Sequence, residues 1–329
     1  MLLLSAMMKN TDEIAGWISE LTGRECLKLD LAWKPTRQLR GSVVYPQADV
    51  TSLTEGLRAS RMQRQTATPS VKDKAALQTE ALGFFGLQQT WATRKATDYS
   101  LVKLLDDRVT LGASLYWSLT PNAGVVSSAI ASAAAHSDLK TLVFFQTIPN
   151  ASSNKNRISE ALGNVAIKLT DEERIWMEIT ALELGDGSYS YLDIADGHLT
   201  SKCVVHHGLL LPEERQLCES LYQRPDGATV MAATSTVAQG MNFPSELVII
   251  AEDSRFESEA NRREVLEAQE LLNAAGRAGR AGQNANGIVL VVPGKVVGID
   301  LKDATTARTG PRCRKFSANL TSVWKSTIR

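Results

Sequence analysis

Residues 229–244 run Thr229-Val230-Met231-Ala232-Ala233-Thr234-Ser235-Thr236-Val237-Ala238-Gln239-Gly240-Met241-Asn242-Phe243-Pro244. An apolar run breaks here into a polar segment carrying a glycine, which reads as a buried strand followed by a loop. Similar runs lie on either side. Leu247-Val248-Ile249-Ile250 follows at once, and Ile288-Val289-Leu290-Val291-Val292 comes later; Thr141-Leu142-Val143-Phe144-Phe145 and Cys203-Val204-Val205 come before. Continuous apolar runs suit parallel strands buried on both faces. Helical patterns separate them, at Ser153–Leu162, Asp171–Leu184, Pro212–Tyr222 and Arg262–Ala275. Strands alternating with helices predict an α/β fold, a parallel sheet with helices on both faces. No internal repeat stands out.

The first 140 residues are less regular. Leu2 to Leu4 reads as the end of a buried strand, and a helix is expected from Thr11-Asp12-Glu13 through Ile14, Trp17, Ile18 and Leu21, ended by Gly23. Lys34-Pro35-Thr36-Arg37 breaks regularity ahead of a short strand, Gly41-Ser42-Val43-Val44-Tyr45. Residues 47–81 turn polar, with Arg58, Arg61, Arg64, Lys72 and Lys74, and read as an exposed insertion, helical or loose. Aromatics return at Phe84, Phe85, Trp91, Tyr99, Tyr116 and Trp117, suggesting short strands, turns and a small core. An Ala/Ser-rich helix is expected over Asn122–His136.

The 329 residues hold 36 basic and 36 acidic side chains and 43% hydrophobic residues, which excludes a largely disordered chain. At roughly 100–200 residues per domain there is room for two domains, or one with an insertion. No stretch approaches the roughly 20 apolar residues of a membrane helix, and MLLLSAMMKN lacks the form of a signal peptide. Four scattered cysteines (Cys26, Cys203, Cys218, Cys313) with no CxxC pair suit a reducing cytoplasm and argue against a zinc site. Balanced charge excludes bulk attraction to nucleic acid, though not a local basic groove.

Two segments carry chemistry. The loop after the strand at 229–232 offers hydroxyls and Gly240 at a strand's carboxyl end, where ligand crevices form in parallel sheets. The second segment is Gln269-Glu270-Leu271-Leu272-Asn273-Ala274-Ala275-Gly276-Arg277-Ala278-Gly279-Arg280-Ala281-Gly282. It places two guanidinium groups three residues apart on a glycine-rich turn, suited to bidentate phosphate contact. Each segment alone reads equally well as a polar loop, or as a GxxGxxG turn with surface arginines.

Together and in order they resemble motifs V and VI of superfamily 2 DNA/RNA helicases, nearest to the superkiller-type branch of DExH-box enzymes. Leu142-Val143-Phe144-Phe145-Gln146-Thr147 resembles motif IV, and His206-His207-Gly208 with Pro212-Glu213-Glu214-Arg215 resembles the segment between motifs IV and V. Leu4-Ser5-Ala6-Met7 is similar to motif III, and residues 33–41 to the crossing between the two RecA-like domains. The resemblance implies a RecA-like fold, with ATP and Mg2+ as cofactors and DNA or RNA as partner. It implies that Arg277 and Arg280 reach the ATP phosphates, Arg280 being the better arginine finger. Such a finger is worth about 10³–10⁵ in rate. Gly240, Asn242, Asn273 and Gly276 would lie about the nucleotide. Asn242 stands where relatives often carry a carboxylate, and Asn273 where they carry Gln or His. Gln146, Thr147, Thr234 and Thr236 would face the nucleic-acid backbone, and Ser5 and Ala6 would couple the two activities.

Some segments imitate motifs. Asp171-Glu172-Glu173-Arg174 looks like an acidic box but follows Thr170, which makes it a capped helix start. Gly287–Lys295 has the wrong glycine spacing for a P-loop. His206 and His207 on an extended segment point to opposite faces and make poor joint metal ligands.

No GxxxxGK[ST] and no acidic box ahead of Ser5 occur. The expected organisation is therefore 1–45, end of a first RecA-like domain and crossing; 46–120, insertion; 121–300, the helicase C-terminal RecA-like domain; and 301–329, a basic tail, disordered or truncated. On this reading the chain is the motor half of a cytoplasmic helicase, a split or cut piece that needs a P-loop-containing helicase half and does not turn over ATP alone. The alternative is a catalytically inert RecA-like module that binds nucleic acid or docks on a protein.

Overall fold

A computed structural model describes residues 11–27, 37–64, 68–87, 95–185, 190–234, 243, 245–257, 262–266, 268–279 and 286–301. Of the residues singled out above, the candidate site residues Ser5, Ala6, Thr236, Gly240, Asn242 and Arg280, the aromatic Trp91, and the tail from 302 are among those that lie outside these. The chain divides into two compact units, Met1–Pro35 and Thr36–Arg329. In the first, helix α1 (Thr11–Thr22) carries Asp12 and Glu13 in its first turn, where the helix dipole favours them. It ends at Gly23, whose φ of 61° few side chains adopt.

The second unit is built on one sheet. Its strands are β1 (Arg37–Pro46), β2 (Leu82–Gly86), β3 (Tyr99–Lys103), β4 (Thr141–Phe145), β5 (Cys203–His206), β6 (Val230–Thr234), β7 (Leu247–Ala251), β8 (Asn286–Val292) and β9 (Gly298–Ile299). They are ordered β5-β6-β4-β7-β8-β1-β2-β3, with β9 beside β1. Every pairing from β5 to β1 is parallel; β2 and β3 add an antiparallel edge. This is a mixed α/β architecture, a mostly parallel sheet flanked by helices. The strand at 37–46 and, within 46–120, the strands Leu82–Gly86 and Tyr99–Lys103 extend the same sheet as the strands after 140, while Gln78–Thr79 with Val109–Thr110 and Gly112–Ala113 with Leu119–Thr120 form two small ladders apart from it.

Alternation along β4 shows how both faces are filled. Val143 and Phe145 enter one core with Val205, Ala232, Ile249 and Leu290. Leu142 and Phe144 enter the other with Val204, Met231, Val248 and Val291. Helices α4 (Ala123–His136) and α5 (Ile148–Leu162) cover the first face; α7 (Pro212–Gln223) and α8 (Ala268–Ala275) cover the second, with α6 (Asp171–Leu184) packed outside α7. In the segment read as an insertion, α2 (Gln47–Arg64) and the short α3 (Val71–Ala75) carry the polar stretch. There Leu57, Leu77, Val109, Leu111 and Trp117 join the first core.

Local sequence explains several ends. Thr170 caps α6 by a reciprocal box: its side chain accepts from Glu173 N–H, and the Glu173 carboxylate accepts from Thr170 N–H. The acidic-box imitation at 171–174 is thus a helix start. Glu173 is fully buried and also accepts from Ser220 Oγ (2.8 Å) and Arg224 Nε (3.0 Å). One expectation is corrected. The helix read over Arg262–Ala275 begins only at Ala268; Arg262–Val265 is a strand paired antiparallel with Ser254–Glu257. Val265 at its end is 64% exposed, and Leu266 just beyond the strand is buried.

Candidate nucleotide and strand-contact site

The predicted site residues fall at opposite ends of the sheet. At the carboxyl end, β4 runs into Gln146 and Thr147. The Gln146 amide donates to the carbonyls of Ala251 (3.3 Å) and Glu252 (3.0 Å), tying the end of β4 to the end of β7. Thr147 is the N-cap of α5; its Oγ1 accepts from Asn150 N–H at 3.3 Å, and the residue is exposed. Its hydroxyl hydrogen can still point outward, beside a helix N-terminus that favours an anion. Thr234 closes β6 and is only 5% exposed, packed in the sheet instead of facing an open groove.

At the other end, α8 leads into the glycine–arginine turn. Asn273 is half-buried, Gly276 exposed and Arg277 half-buried. The turn is held from several sides. Arg277 N–H donates to Ala274 O and Ala278 N–H to Ala275 O, both at 3.1 Å; Gly279 N–H donates to Ser245 O at 2.9 Å, just ahead of β7. Gly279 takes φ 73°, which suits glycine. From the start of β1, the Gln38 amide donates to Ala275 O and Ala278 O, both at 2.8 Å. Arg40 Nη2 donates to the Gln38 carbonyl oxygen at 3.0 Å, which orients that amide. Partial burial pushes the Arg277 guanidinium down from its usual value, yet an arginine stays charged at neutral pH. The result is a cation on a braced turn at the amino ends of β7, β8 and β1.

Part of the chain is similar to known helicases. No family model matches the chain. It is 38% identical over 88 residues to the antiviral helicase SKI2 of Saccharomyces cerevisiae, covering 27% of this chain and 7% of that protein. It is 37% identical over 87 residues to the ATP-dependent DNA helicase Hel308 of Aeropyrum pernix, covering 26% and 11%. It is 27% identical over 155 residues to the DExH-box ATP-dependent RNA helicase DExH10 of Arabidopsis thaliana, covering 45% and 15%. The chain carries a superfamily 2 DExH-type helicase region. It spans between 7% and 15% of the length of these relatives. Among solved structures it is similar to the DUF1998 helicase MrfA bound to DNA and AMPPNP, at 12% identity and TM-score 0.37, covering 62% of this chain and 20% of that one.

Around the arginine turn the structure adds residues that the sequence reading missed. Gln38 and Ser245 brace the arginine turn, and Gly287 makes room for it. A Cβ built on Gly287 would lie 2.4 Å from both the Ala278 carbonyl carbon and the Gly279 nitrogen. Gln38 lies 237 residues from Ala275, and no local pattern marks such a contact. The two histidines are packed, as their alternation suggests. His206 Nε2 meets Glu219 Oε1 at 2.9 Å, and the His207 ring stands edge-on to Tyr191 at 4.4 Å. Burial pushes both imidazoles below the usual histidine value; Glu219 opposes this at His206, and His206 reinforces it at His207. Among the described residues no group of His, Cys, Asp or Glu is arranged to hold a metal ion, and no helix is long and apolar enough to cross a membrane.

Proposed function

We propose that the chain is the C-terminal motor half of an ATP-dependent superfamily 2 nucleic-acid helicase. Arg277 and Arg280 reach the phosphates of ATP, with Gly240, Asn242, Asn273 and Gly276 around the nucleotide. Gln146, Thr147, Thr234 and Thr236 contact the backbone of DNA or RNA, and Ser5 and Ala6 link the two. ATP supplies the free energy for movement along the strand. The P-loop and acidic box that hold ATP with Mg2+ belong to a helicase half acting in cis or in trans, because the 329 residues contain no GxxxxGK[ST].

The observation that carries the reading is the bracing of the Arg277 turn. Two 2.8 Å bonds from Gln38 and one from Gly279 to Ser245 hold a guanidinium-bearing turn in place. A merely solvated surface arginine has no need of such support, whereas transition-state stabilisation depends on preorganised charge. The half-buried Arg277 fits a phosphate ligand by the same chemistry. At the carboxyl end, exposed Thr147 on a helix N-terminus fits a phosphate of the strand. The Thr234 hydroxyl reaches a strand only if the end of β6 opens.

The test is fluorescence anisotropy of labelled single-stranded DNA and RNA on the purified chain, alongside an ATPase assay. Binding is expected to weaken with salt. Thr147→Asp keeps a competent cap and sets a negative charge against phosphate, so it weakens binding on the order of tenfold, while Thr147→Ser retains it. No nucleic-acid-stimulated ATPase is expected from the chain alone. Robust turnover abolished by Arg280→Ala would overturn the assignment of ATP-holding elements to another half. Absence of binding to either polymer would overturn the strand-contact role.

A further inference from the structure

Helix α6 presents an apolar stripe to solvent. Ile175 is 56% exposed, Ile179 36% and Leu182 81%, at spacing i, i+4, i+7 on one helix face. Inward, the helix is anchored by buried Glu173 and Thr180 and packs on α7. The stripe is bordered by acids, Asp171, Glu172, Glu178 and Glu183 all being exposed. Arg174 is the single basic residue on the helix, and it is paired with Asp171 at 2.9 Å. Beside it, between α6 and α7, an open groove of about 520 Å³ is lined by Trp176, Gln216, Glu219, Ser220, Gln223 and Arg224. Three large aliphatic side chains in register on an acidic helix form a surface suited to a basic amphipathic segment.

The chain itself contains one. After Asp303 no acid occurs, while Arg312, Arg314, Lys315, Lys325 and Arg329 supply positive charge. Phe316, Leu320 and Val323 repeat the i, i+4, i+7 spacing of Ile175, Ile179 and Leu182, and Trp324 and Ile328 continue it. Gly310-Pro311 marks a break ahead of this stretch. The reach is sufficient. Leu301 follows β9 at β1, and five strand spacings separate β1 from β5, about 24 Å at roughly 4.8 Å each. The 14 residues from 302 to 315 span up to about 46 Å when extended.

We propose that residues 312–329 dock in cis on the outer face of α6. Phe316, Leu320 and Val323 lie against Ile175, Ile179 and Leu182, and Lys315 and Lys325 lie against Glu178 and Glu183 or Glu172. The surface is one that the helicase reading leaves unused, and it gives the basic tail a partner other than nucleic acid.

The test uses the full chain. A zero-length carbodiimide cross-linker should join Lys315 or Lys325 to a carboxylate of α6, read by peptide mass spectrometry, and high salt should suppress the product. The double variant Ile179→Asp, Leu182→Asp changes only exposed positions; circular dichroism checks that it folds. It should lose the cross-link, and trypsin should cut after Arg312, Arg314 and Lys315 on the order of tenfold faster than in the parent chain, as expected when opening controls cleavage. A second variant, Glu178→Lys with Glu183→Lys, should do the same through charge alone. Equal cleavage rates in parent and variants, or tail cross-links confined to other surfaces, would overturn the proposal. Cross-links found only between heavy and light isotopic copies would also overturn it, because the contact would then be between chains.

Discussion

Replacing Gly287 with alanine tests whether the arginine turn is as tightly braced as its contacts imply. The added methyl would sit 2.4 Å from Ala278 C, 2.4 Å from Gly279 N and 2.7 Å from Ala278 O. All three are backbone atoms, so no flexible side chain can swing away, and ordinary van der Waals contact begins nearly 1 Å further out, at about 3.4 Å. The turn must therefore move by about that distance, against the Gly279–Ser245 bond and both Gln38 bonds. Overpacking of this kind costs about 1–3 kcal/mol; strain on two or three hydrogen bonds, at about 1 kcal/mol each when lost, sets the upper part of that range. For a unit of this size the loss corresponds to a fall in melting temperature of about 2–4 °C per kcal/mol. Gly56→Ala is the matched control: Gly56 lies within α2 with nothing within 4 Å of the added Cβ, so it should be neutral or stabilising by up to about 1 kcal/mol. Urea denaturation of the three proteins reads the difference. A Gly287→Ala protein within 0.5 kcal/mol (about the scatter of ordinary surface substitutions) of the parent would refute the packing argument, since the turn would then have room that these distances deny.

Three further outcomes follow from the same contacts. Gln38→Leu, which removes both amide bonds to Ala275 and Ala278, should cost about 1–2 kcal/mol and speed hydrogen exchange at Ala278 and Gly279; unchanged exchange there would contradict the bracing role. Glu173→Ala strips a fully buried carboxylate from Thr170, Ser220 and Arg224 and should cost about 3 kcal/mol, reduced where Arg224 keeps Asp226 and Lys168 as partners; a loss near zero in urea titration would show that the network adds nothing. His206 and His207 titrate below the usual histidine value when folded, so the unfolded chain binds protons first as pH falls. Their contribution is fully present above about pH 6.5 and declines below it, toward the folded values, by up to about 1.4 kcal/mol per pH unit per histidine. Urea midpoints that stay flat from pH 7.5 to 5.5 would remove both groups from the account, and an equal fall in His207→Gln would remove His207.

The parallel strands were legible because each is buried on both faces and reads as an unbroken apolar run, as Thr141–Phe145 and Leu247–Ile250 do. Thr170 and Glu173 announced α6 by a local capping pattern. The resemblance placed the arginine turn after a helix, where it stands at the end of α8. What stayed hidden depends on long-range contacts. Gln38 and Gly287 acquire their roles only when β1 and β8 pair in register, Gln38 opposite Gly287. Thr234 is buried where the end of β6 pairs opposite Phe145, a long-range pairing that the composition of the loop after it does not reveal. The pairing of Ser254–Glu257 with Arg262–Val265 was lost because the strand Arg262–Val265 has four residues, three of them charged, too few to display an apolar alternation.

Strand β7 has a mechanical consequence. Immediately ahead of it, Ser245 O holds the Gly279 amide; at its far end, Ala251 O and Glu252 O hold the Gln146 side chain. Between these anchorages run about six residues, roughly 20 Å of extended chain, locked on both sides by parallel neighbours and fully buried. Such a strand acts as a strut: it is stiff along its axis, and the densely packed core on either side prevents it from buckling. The arginine turn, through its bond to Ser245, and the Gln146–Thr147 corner are thereby held a fixed distance apart, so that one can shift along β7 only if both ladders shear or the sheet moves with it.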